Sequence, residues 1–264
     1  MRPSASFLRW LGEVMWFVVP FLVLLGAWWA IVRISHVPLR VFPAPGDVAQ
    51  AFQAQARTGA LTAHVWASLR RVAIGASLAI AAGIPLGVAI GTNRTVAALF
   101  TPILRFFSVL AGIAWIPLAT LWFGYGFGAI TFIIFNAVFF IVLYNTILGV
   151  TSIPQVLRDA ARSLGANRWQ VLVEVLLPGA LPNVVTGIRT GMGFAWRGLI
   201  AAEIIATNAG LGYMLFLARD FYRTEVIVLG MILIGIIWVL IDRLLLAPVE
   251  RRTIERWGLA RPVP

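Results

Sequence analysis

Polar and ionisable side chains occur inside several long apolar runs of this sequence. Five of them lie well within such runs: Asn136, Asn145, Arg189, Arg197 and Glu203. A polar group in hydrocarbon is costly, so residues of this kind usually pair with one another or line a route for a polar solute or ion. Three of these residues, Asn136, Arg197 and Glu203, are candidates for lining a translocation pathway, and Trp115 and Pro117 in another apolar run are two more.

These candidates rest on different arguments. Pro117 stands beside Trp115 and Thr120 in an apolar run, and a helix-breaking proline is tolerated at membrane depth where neighbours or a cavity satisfy the carbonyl it frees. For the arginines, interfacial snorkelling and internal ion pairs are open alternatives. Arg189 lies nearer the end of its run, whereas Arg197 lies deeper and is the stronger pathway candidate.

The chain lacks the residue sets that catalysis and metal binding use. It has no Cys and two His, His36 and His64, without ligand-like spacing. All 21 basic residues are Arg, and a phosphate-binding P-loop needs a lysine. No paired acids or nucleophile–base set lies within an apolar run. We therefore expect no catalytic residue, no metal and no cofactor on this chain, so that any ATP and Mg²⁺ would be bound by a partner.

The composition predicts that lipid surrounds most of the chain. Hydrophobic residues make up 61% of the 264 residues, charged residues 12%, and the mean hydropathy is +0.92. So few charges cannot cover a soluble domain of this length. The net charge is +11, but the arginines are spread between apolar runs rather than clustered on one face, which argues against nucleic-acid binding.

The elements that must position these residues are helices. A bilayer core needs about 20 apolar residues in helix, and the sequence predicts six such spans: 14–32, 72–91, 106–123, 129–150, 184–207 and 226–246. The fold class is therefore an all-α integral membrane protein with one transmembrane domain over residues 1–264. Six spans place both termini on one side, and a modest arginine bias predicts that this side is cytoplasmic.

Small residues repeat along two of these spans. Span two carries one every fourth residue: Gly75, Ala79, Gly83, Gly87 and Gly91. Span five has Gly187, Gly191 and Ala195 at the same spacing. Small residues permit close approach of helices in lipid. Each stripe is interpreted as static helix packing, with a sliding or dimer seam as the alternative.

A predicted outer segment, residues 33–71, is long enough to be structured. Residues 42–46 form a turn, and Asp47 with Gln50 has the signature of a helix cap. Gly59 then breaks the helix, and a second helix runs toward the membrane. The segment is interpreted as two helices on the membrane surface, with a docking surface as the alternative.

The predicted inner segment, residues 151–181, exceeds the usual length of a connector between helices. Ser152 with Gln155 predicts a capping box, and Gly165 predicts a left-handed helix end. Asn167 with Gln170 then restarts a helix, which Pro178 is predicted to end.

The same segment resembles the cytoplasmic EAA loop of permease subunits of bacterial ATP-binding-cassette (ABC) importers. Asp159, Ala160 and Ala161 stand for Glu-Ala-Ala, Gly165 lies six residues after Asp159, and 177–178 is the closing Leu-Pro. Asp in place of Glu keeps the charge and shortens its reach. Strings at 114–119, 121–124, 187–189, 201–203 and 210–213 resemble the nitrate/sulfonate/taurine-type permeases.

The resemblance implies a fold like that of type I ABC importer permeases and a coupling helix that seats in a groove of the ATPase. The residues it assigns to coupling are Asp159, Ala160, Ala161, Leu164 and Gly165. It implies two ATPase subunits, a second permease copy in a homodimer, and an extracytoplasmic substrate-binding protein. The solute would be a small anion such as a sulfonate, taurine, nitrate or bicarbonate, carried across the bacterial inner membrane.

Two other functions remain as alternatives. A self-sufficient ion-coupled secondary transporter usually shows inverted repeats and acids at the membrane midplane. This sequence shows no convincing repeat, and Glu203 is the one acid clearly within a predicted span. A membrane enzyme would need the catalytic residue sets that this sequence lacks.

Overall fold

The computed structural model describes residues 5–35, 38, 41–110 and 112–256, apart from the side chains of residues 5–18, 35, 252 and 254–256. The regular structure of these described residues is entirely helical, which confirms the predicted fold class. The helices are α1 Ala5–Ser35, α2 Pro45–Arg57, α3 Ala60–Thr92, α4 Arg94–Val109, α5 Ile116–Phe123, α6 Phe127–Thr151, α7 Gln155–Ser163, α8 Arg168–Gln170, α9 Leu177–Ala206, α10 Leu211–Asp220, α11 Thr224–Ile241 and α12 Ala247–Arg256.

Four helical stretches are long and apolar enough to cross a membrane: Ala60–Thr92, Phe127–Thr151, Arg168–Ala206 and Thr224–Arg251. They correspond to predicted spans two, four, five and six. Predicted span three is not one helix, since α4 and α5 are bent by 90° at the break between them. Predicted span one lies within α1, whose Val19–Ile34 stretch is a shorter apolar helix. A count of six spans stays a prediction.

The described chain divides into two compact units, residues 1–62 with 214–232 and residues 63–213 with 233–264. In the first unit, Trp28 Nε1 donates a 3.1 Å hydrogen bond to the Pro43 carbonyl and so ties α1 to the start of α2. Asp47 is not the helix cap that the sequence predicts. The helix begins at Pro45, and the Ala44 N–H donates to Asp47 Oδ2 at 2.9 Å, because this carboxylate reaches back to the preceding turn.

Helix α3 joins part of the predicted outer segment to span two. Gly59, with φ +72°, ends the turn after α2, as predicted. Helix α3 then runs unbroken for 33 residues, a length of about 50 Å at 1.5 Å per residue. Since a bilayer core is about 30 Å thick, α3 extends well beyond one span instead of ending as a separate surface helix.

The second unit is built around α6, whose core positions are fully buried at Ile130, Ile134 and Val138. Helix α3 packs closely on it. A Cβ added at Gly75 would meet Ile134, and one at Gly87 would meet Thr146. The stripe of small residues on α3 therefore serves packing within this chain, which favours the static interpretation over a seam.

Helix α9 also packs on α6. A Cβ at Gly187 would overlap Asn145, and one at Gly191 would lie 3.3 Å from Val138 Cγ1. Both small-residue stripes thus allow neighbouring helices to approach α6.

Two prolines sit differently from the sequence prediction. Pro117 is at the start of α5, after a 3₁₀ turn at Gly112–Trp115, and does not interrupt a helix. In the first turn of a helix the missing N–H of a proline costs little. The Pro117 carbonyl accepts a hydrogen bond from Thr120 Oγ1 at 2.9 Å.

Pro178 does not end a helix, which corrects the prediction. From Arg168 the chain stays helical through a π turn at Val171–Leu176 and into α9. Pro178 is in the first turn of α9, and the Leu177 N–H donates to the Leu172 carbonyl across the π turn. A proline near the start of a new register loses no hydrogen bond, so the wider turn accommodates it.

Candidate functional site

The inner loop ends its first helix with the geometry that the sequence predicts. Gly165 has φ +91°. Its N–H donates to the Arg162 carbonyl at 2.9 Å, and the Ala166 N–H donates to the Ala161 carbonyl at 3.0 Å. This pair of bonds is a Schellman motif. A side chain at position 165 would strain the backbone, although no atom crowds the position.

Helix α7 is attached to the end of α6 by an arginine. Arg158 Nη2 donates to the Val150 carbonyl at 2.6 Å, in the last turn of α6. That carbonyl belongs to the group that a helix end leaves unpaired, and a cation there is favoured by the helix dipole. The predicted capping role of Ser152 is wrong, because its hydroxyl donates back to the Gly149 carbonyl at 3.0 Å and Pro154 precedes α7.

Helix α7 is also attached to the segment that leads into α9. Ile153, Val171 and Leu176 form a small buried cluster, and Ala161 packs against it. The Asn167–Gln170 capping box is confirmed, with the Gln170 N–H donating to Asn167 Oδ1 at 2.9 Å and the Asn167 N–H donating to Gln170 Oε1 at 2.8 Å. The loop is therefore one packed body connected to both α6 and α9.

The opposite face of this loop is exposed and partly apolar. Four large side chains on it lie open, with exposed fractions in parentheses: Val156 (75%), Leu157 (53%), Leu164 (89%) and Trp169 (69%). Ala160 is exposed on the same helix. Asp159 makes only contacts within α7 among the described residues, namely a 3.2 Å hydrogen bond from Gln155 Nε2 and a 3.7 Å pair with Arg162.

Three pathway candidates lie near the bend between α4 and α5. The Trp115 ring is 5.8 Å from Phe132 and 6.4 Å from Trp122 between centroids. Pro117 is exposed and Asn136 is half-buried. Asn136 Oδ1 lies beside Gly112, at 4.0 Å from where its Cβ would be. The structure therefore brings Trp115 and Asn136 to the same region of α5 and α6.

The two arginines of α9 have different environments. Arg189 donates to Asp242 Oδ1 at 2.7 Å and to Asp242 Oδ2 at 2.8 Å, and it also pairs with Glu250. This matches the internal ion pair that was one alternative. Arg197 is exposed and its guanidinium lies 5.9 Å from the centroid of the Phe194 ring. Arg197 is thus the α9 cation with an accessible charge.

Glu203, at the other end of α9, is fully buried in a polar network. Its carboxylate accepts hydrogen bonds from Ser68 Oγ at 2.8 Å, Arg71 Nη1 at 2.7 Å and the Gly212 N–H at 3.0 Å. Arg71 Nη2 also donates to Thr207 Oγ1 at 2.8 Å. The role of Glu203 in the pathway stays a prediction, whereas its contacts show a structural role.

Sequence reasoning missed the partners of Glu203. Arg71 is the last residue of the predicted outer segment, 33–71, and among the described arginines it is the one that is buried with a carboxylate in reach. Ser68 and Arg71 lie three residues apart on one helix face, which is a weak signal without the contact itself. His64 accepts a 3.1 Å hydrogen bond from the Gly210 N–H through Nδ1, whereas His36 lies outside the described residues.

Comparisons with known proteins agree with this architecture. The family model "Binding-protein-dependent transport system inner membrane component" matches residues 83–253. The taurine transport system permease protein TauC of Escherichia coli K12 is 38% identical over 83% of this chain and 82% of its own. The putative aliphatic sulfonates transport permease protein SsuC of Bacillus subtilis 168 is 31% identical over 83% of this chain and 80% of its own.

One further relative and one solved structure are also similar. The bicarbonate transport system permease protein CmpB of Synechococcus elongatus is 38% identical over 67% of this chain and 64% of its own. A chain from an inward-facing crystal form of the MetNI methionine ABC transporter superposes with a TM-score of 0.65. That match covers 78% of this chain and 99% of the other at 21% identity, so it shows a shared fold. By family and by fold, this multi-pass membrane protein belongs to the binding-protein-dependent transport system inner membrane components, the permease subunits of ABC importers.

Proposed function

We propose that this chain forms the translocation pathway for a small anionic solute and couples it to ATP hydrolysis on a separate ATPase subunit. The observation that carries the proposal is the attachment of the exposed helix α7 to two membrane-spanning helices. Arg158 fixes α7 to the end of α6, and Ala161 packs it on the turn that leads into α9.

The coupling step follows from this attachment. The exposed face of α7, with Ala160, Asp159 and Leu164, would seat on the partner ATPase. When ATP closes two ATPase subunits, each α7 is displaced with them. The displacement passes to α6 and α9 because the loop is packed as one body, and Gly165 keeps its shape through the Schellman motif. The pathway then changes from inward to outward access.

The solute class is proposed from charge and from the relatives. Arg197 is exposed on α9, and a cation at membrane depth favours an anion. The relatives are named for taurine, aliphatic sulfonates and bicarbonate. With nitrate, these are small solutes that carry an anionic group. Trp115, Pro117, Asn136 and Glu203 remain proposed pathway residues beside Arg197.

The proposed assembly has two copies of this chain, two ATPase subunits that bind ATP and Mg²⁺, and an extracytoplasmic binding protein. Helix α7 would lie in the cytoplasm, so both termini would be cytoplasmic in the bacterial inner membrane. This chain then needs no ATPase site of its own, consistent with the absence of lysine from its sequence.

The Gly165→Arg variant tests the coupling assignment. We expect it to insert into the membrane and lose ATP-driven transport, because both the αL strain and the bulk fall on the loop that seats on the ATPase. Gly59→Arg is the matched control, since Gly59 also has positive φ and open space around its Cβ position but lies on another loop. Normal ATP-driven uptake by Gly165→Arg in liposomes would refute the assignment, and gradient-driven uptake without ATP would favour a secondary transporter.

A further inference from the structure

The network around Glu203 joins α3 to the whole connection between α9 and α10. Three α3 residues on one helix face, His64, Ser68 and Arg71, supply the contacts. These three residues bind four polar groups of the connection: Thr207 Oγ1, the Ala209 carbonyl, and the N–H groups of Gly210 and Leu211. Glu203, which Ser68 and Arg71 hold, accepts a fifth bond from the Gly212 N–H.

This connection has little structure of its own. Gly210 has φ +126°, and a Cβ there would overlap the Glu203 carboxyl group. The N–H groups of Leu211 and Gly212 open α10, and the hydroxyl of Ser68 and the carboxylate of Glu203 take the places of helix-capping acceptors. The conformation of residues 207–212 is therefore set by α3 and Glu203.

Opening the network would be unfavourable. Glu203 is 0% exposed and the Arg71 side chain is 7% exposed, so separating the pair inside the protein leaves two charges without partners or water. A second contact adds α6, because the Gly126 N–H donates to the Ala206 carbonyl at 2.7 Å. At its other end, α9 follows a π turn and has Pro178 in its first turn, and both are features of helix hinges.

We propose that Ser68, Arg71 and Glu203 are positioning residues that form a permanent joint, so that α3 and the Glu203 end of α9 move as one body throughout the transport cycle. The proposal rests on the importer function, and it specifies which helix ends stay together during transport. In this joint Glu203 acts through its contacts with α3 and with the start of α10. The motion driven through α7 is then concentrated at the start of α9.

Cysteine crosslinking tests the joint directly, because the chain contains no Cys. The His64 and Tyr213 rings lie 6.1 Å apart between centroids, and both residues are half-buried at the edge of the network. The His64→Cys/Tyr213→Cys pair is joined in the reconstituted complex by a short bifunctional reagent that forms a disulfide with each thiol, so that a reducing agent releases the crosslink, and the single-cysteine variants are treated in parallel. ATP-driven uptake by the unmodified complex reports the importer function separately.

We expect the crosslinked complex to keep the uptake rate of the untreated pair. Loss of uptake that reducing agent restores would overturn the joint and show that α3 and the connection separate during transport. Failure of the pair to crosslink, with or without ATP, although both single-cysteine variants react with the reagent, would also overturn it, because the two positions would then not be held within reach of each other.

A second variant separates positioning from folding. Arg71→Ala should lower the number of solutes carried per ATP by about fivefold or more, the range of an allosteric coupling energy. Arg70→Ala is the matched control, since Arg70 is the next residue along the chain and its exposed guanidinium lies over the Phe127 ring instead of in the network. In the Arg71→Ala background the same crosslink should restore coupling, and an unrestored ratio in correctly assembled complex would contradict the proposal.

Discussion

Replacing Arg158 by Leu removes the attachment of α7 to α6 while keeping much of the aliphatic side chain. The variant loses a 2.6 Å charge-assisted hydrogen bond to the Val150 carbonyl. Such bonds contribute about 1.5–3 kcal/mol, and the interaction with the helix dipole adds about 0.3–1 kcal/mol. Arg158 is half-buried, so we expect the lower end of the combined range, about 2 kcal/mol, or roughly a 30-fold weaker attachment.

The assay reads attachment and transport together. In the reconstituted complex, Arg158→Leu should retain ATP hydrolysis and ATPase association but carry less solute per ATP. Amide hydrogen exchange should rise at 150–158, where the attachment is lost. Arg162→Leu removes a charge from the exposed side of α7 and should leave exchange at 150–158 unchanged. If Arg158→Leu carried as much solute per ATP as the wild-type protein although exchange at 150–158 was raised, transmission of motion from α7 to α6 through Arg158 would be refuted.

Two further predictions concern α9. Gly187→Ala should destabilise the protein by about 1–3 kcal/mol through overpacking against Asn145. Gly198→Ala is the control, because the space around its Cβ position is open, and it should be neutral or slightly stabilising. Thermal unfolding in detergent compares the two variants, and equal stability would contradict the packing of α9 on α6. Arg197→Ala should lower anion uptake several-fold without loss of assembly, because it removes the accessible cation of α9. The initial rate of anion uptake into liposomes measures this effect, and an unchanged rate would indicate a structural role for Arg197.

The sequence predicted helix ends and caps correctly where all the hydrogen-bonding residues lie in one short segment. Gly165 ends α7 in the left-handed conformation, and Asn167 with Gln170 forms the capping box. In each case the hydrogen-bond partners lie within a few residues, so spacing alone defines the geometry.

Other local predictions failed because a competing partner was nearer. Ser152 bonds back to the last turn of α6 instead of capping α7, and Asp47 reaches back to Ala44 instead of opening α2. Pro117 and Pro178 each mark the start of a helical register. A proline signals a boundary, but the sequence does not say on which side the helix lies.

The network around Glu203 could not be predicted because Ser68 and Arg71 are more than 130 residues away from Glu203 in sequence. An acid in an apolar run indicates that a partner or a polar cavity exists. Which arginine supplies the partner depends on how α3 and α9 pack, and the glycine stripes predict close packing without its register.

Purification of the tagged protein from its native membrane in mild detergent, with mass spectrometry of the proteins that co-elute, tests the central claim most directly. Coupling through α7 predicts a P-loop ATPase in equal amount with this chain, and loss of that ATPase or of its coupling in Gly165→Arg. Elution of the chain without an ATPase, even after mild crosslinking, together with uptake in liposomes driven by an ion gradient, would contradict it.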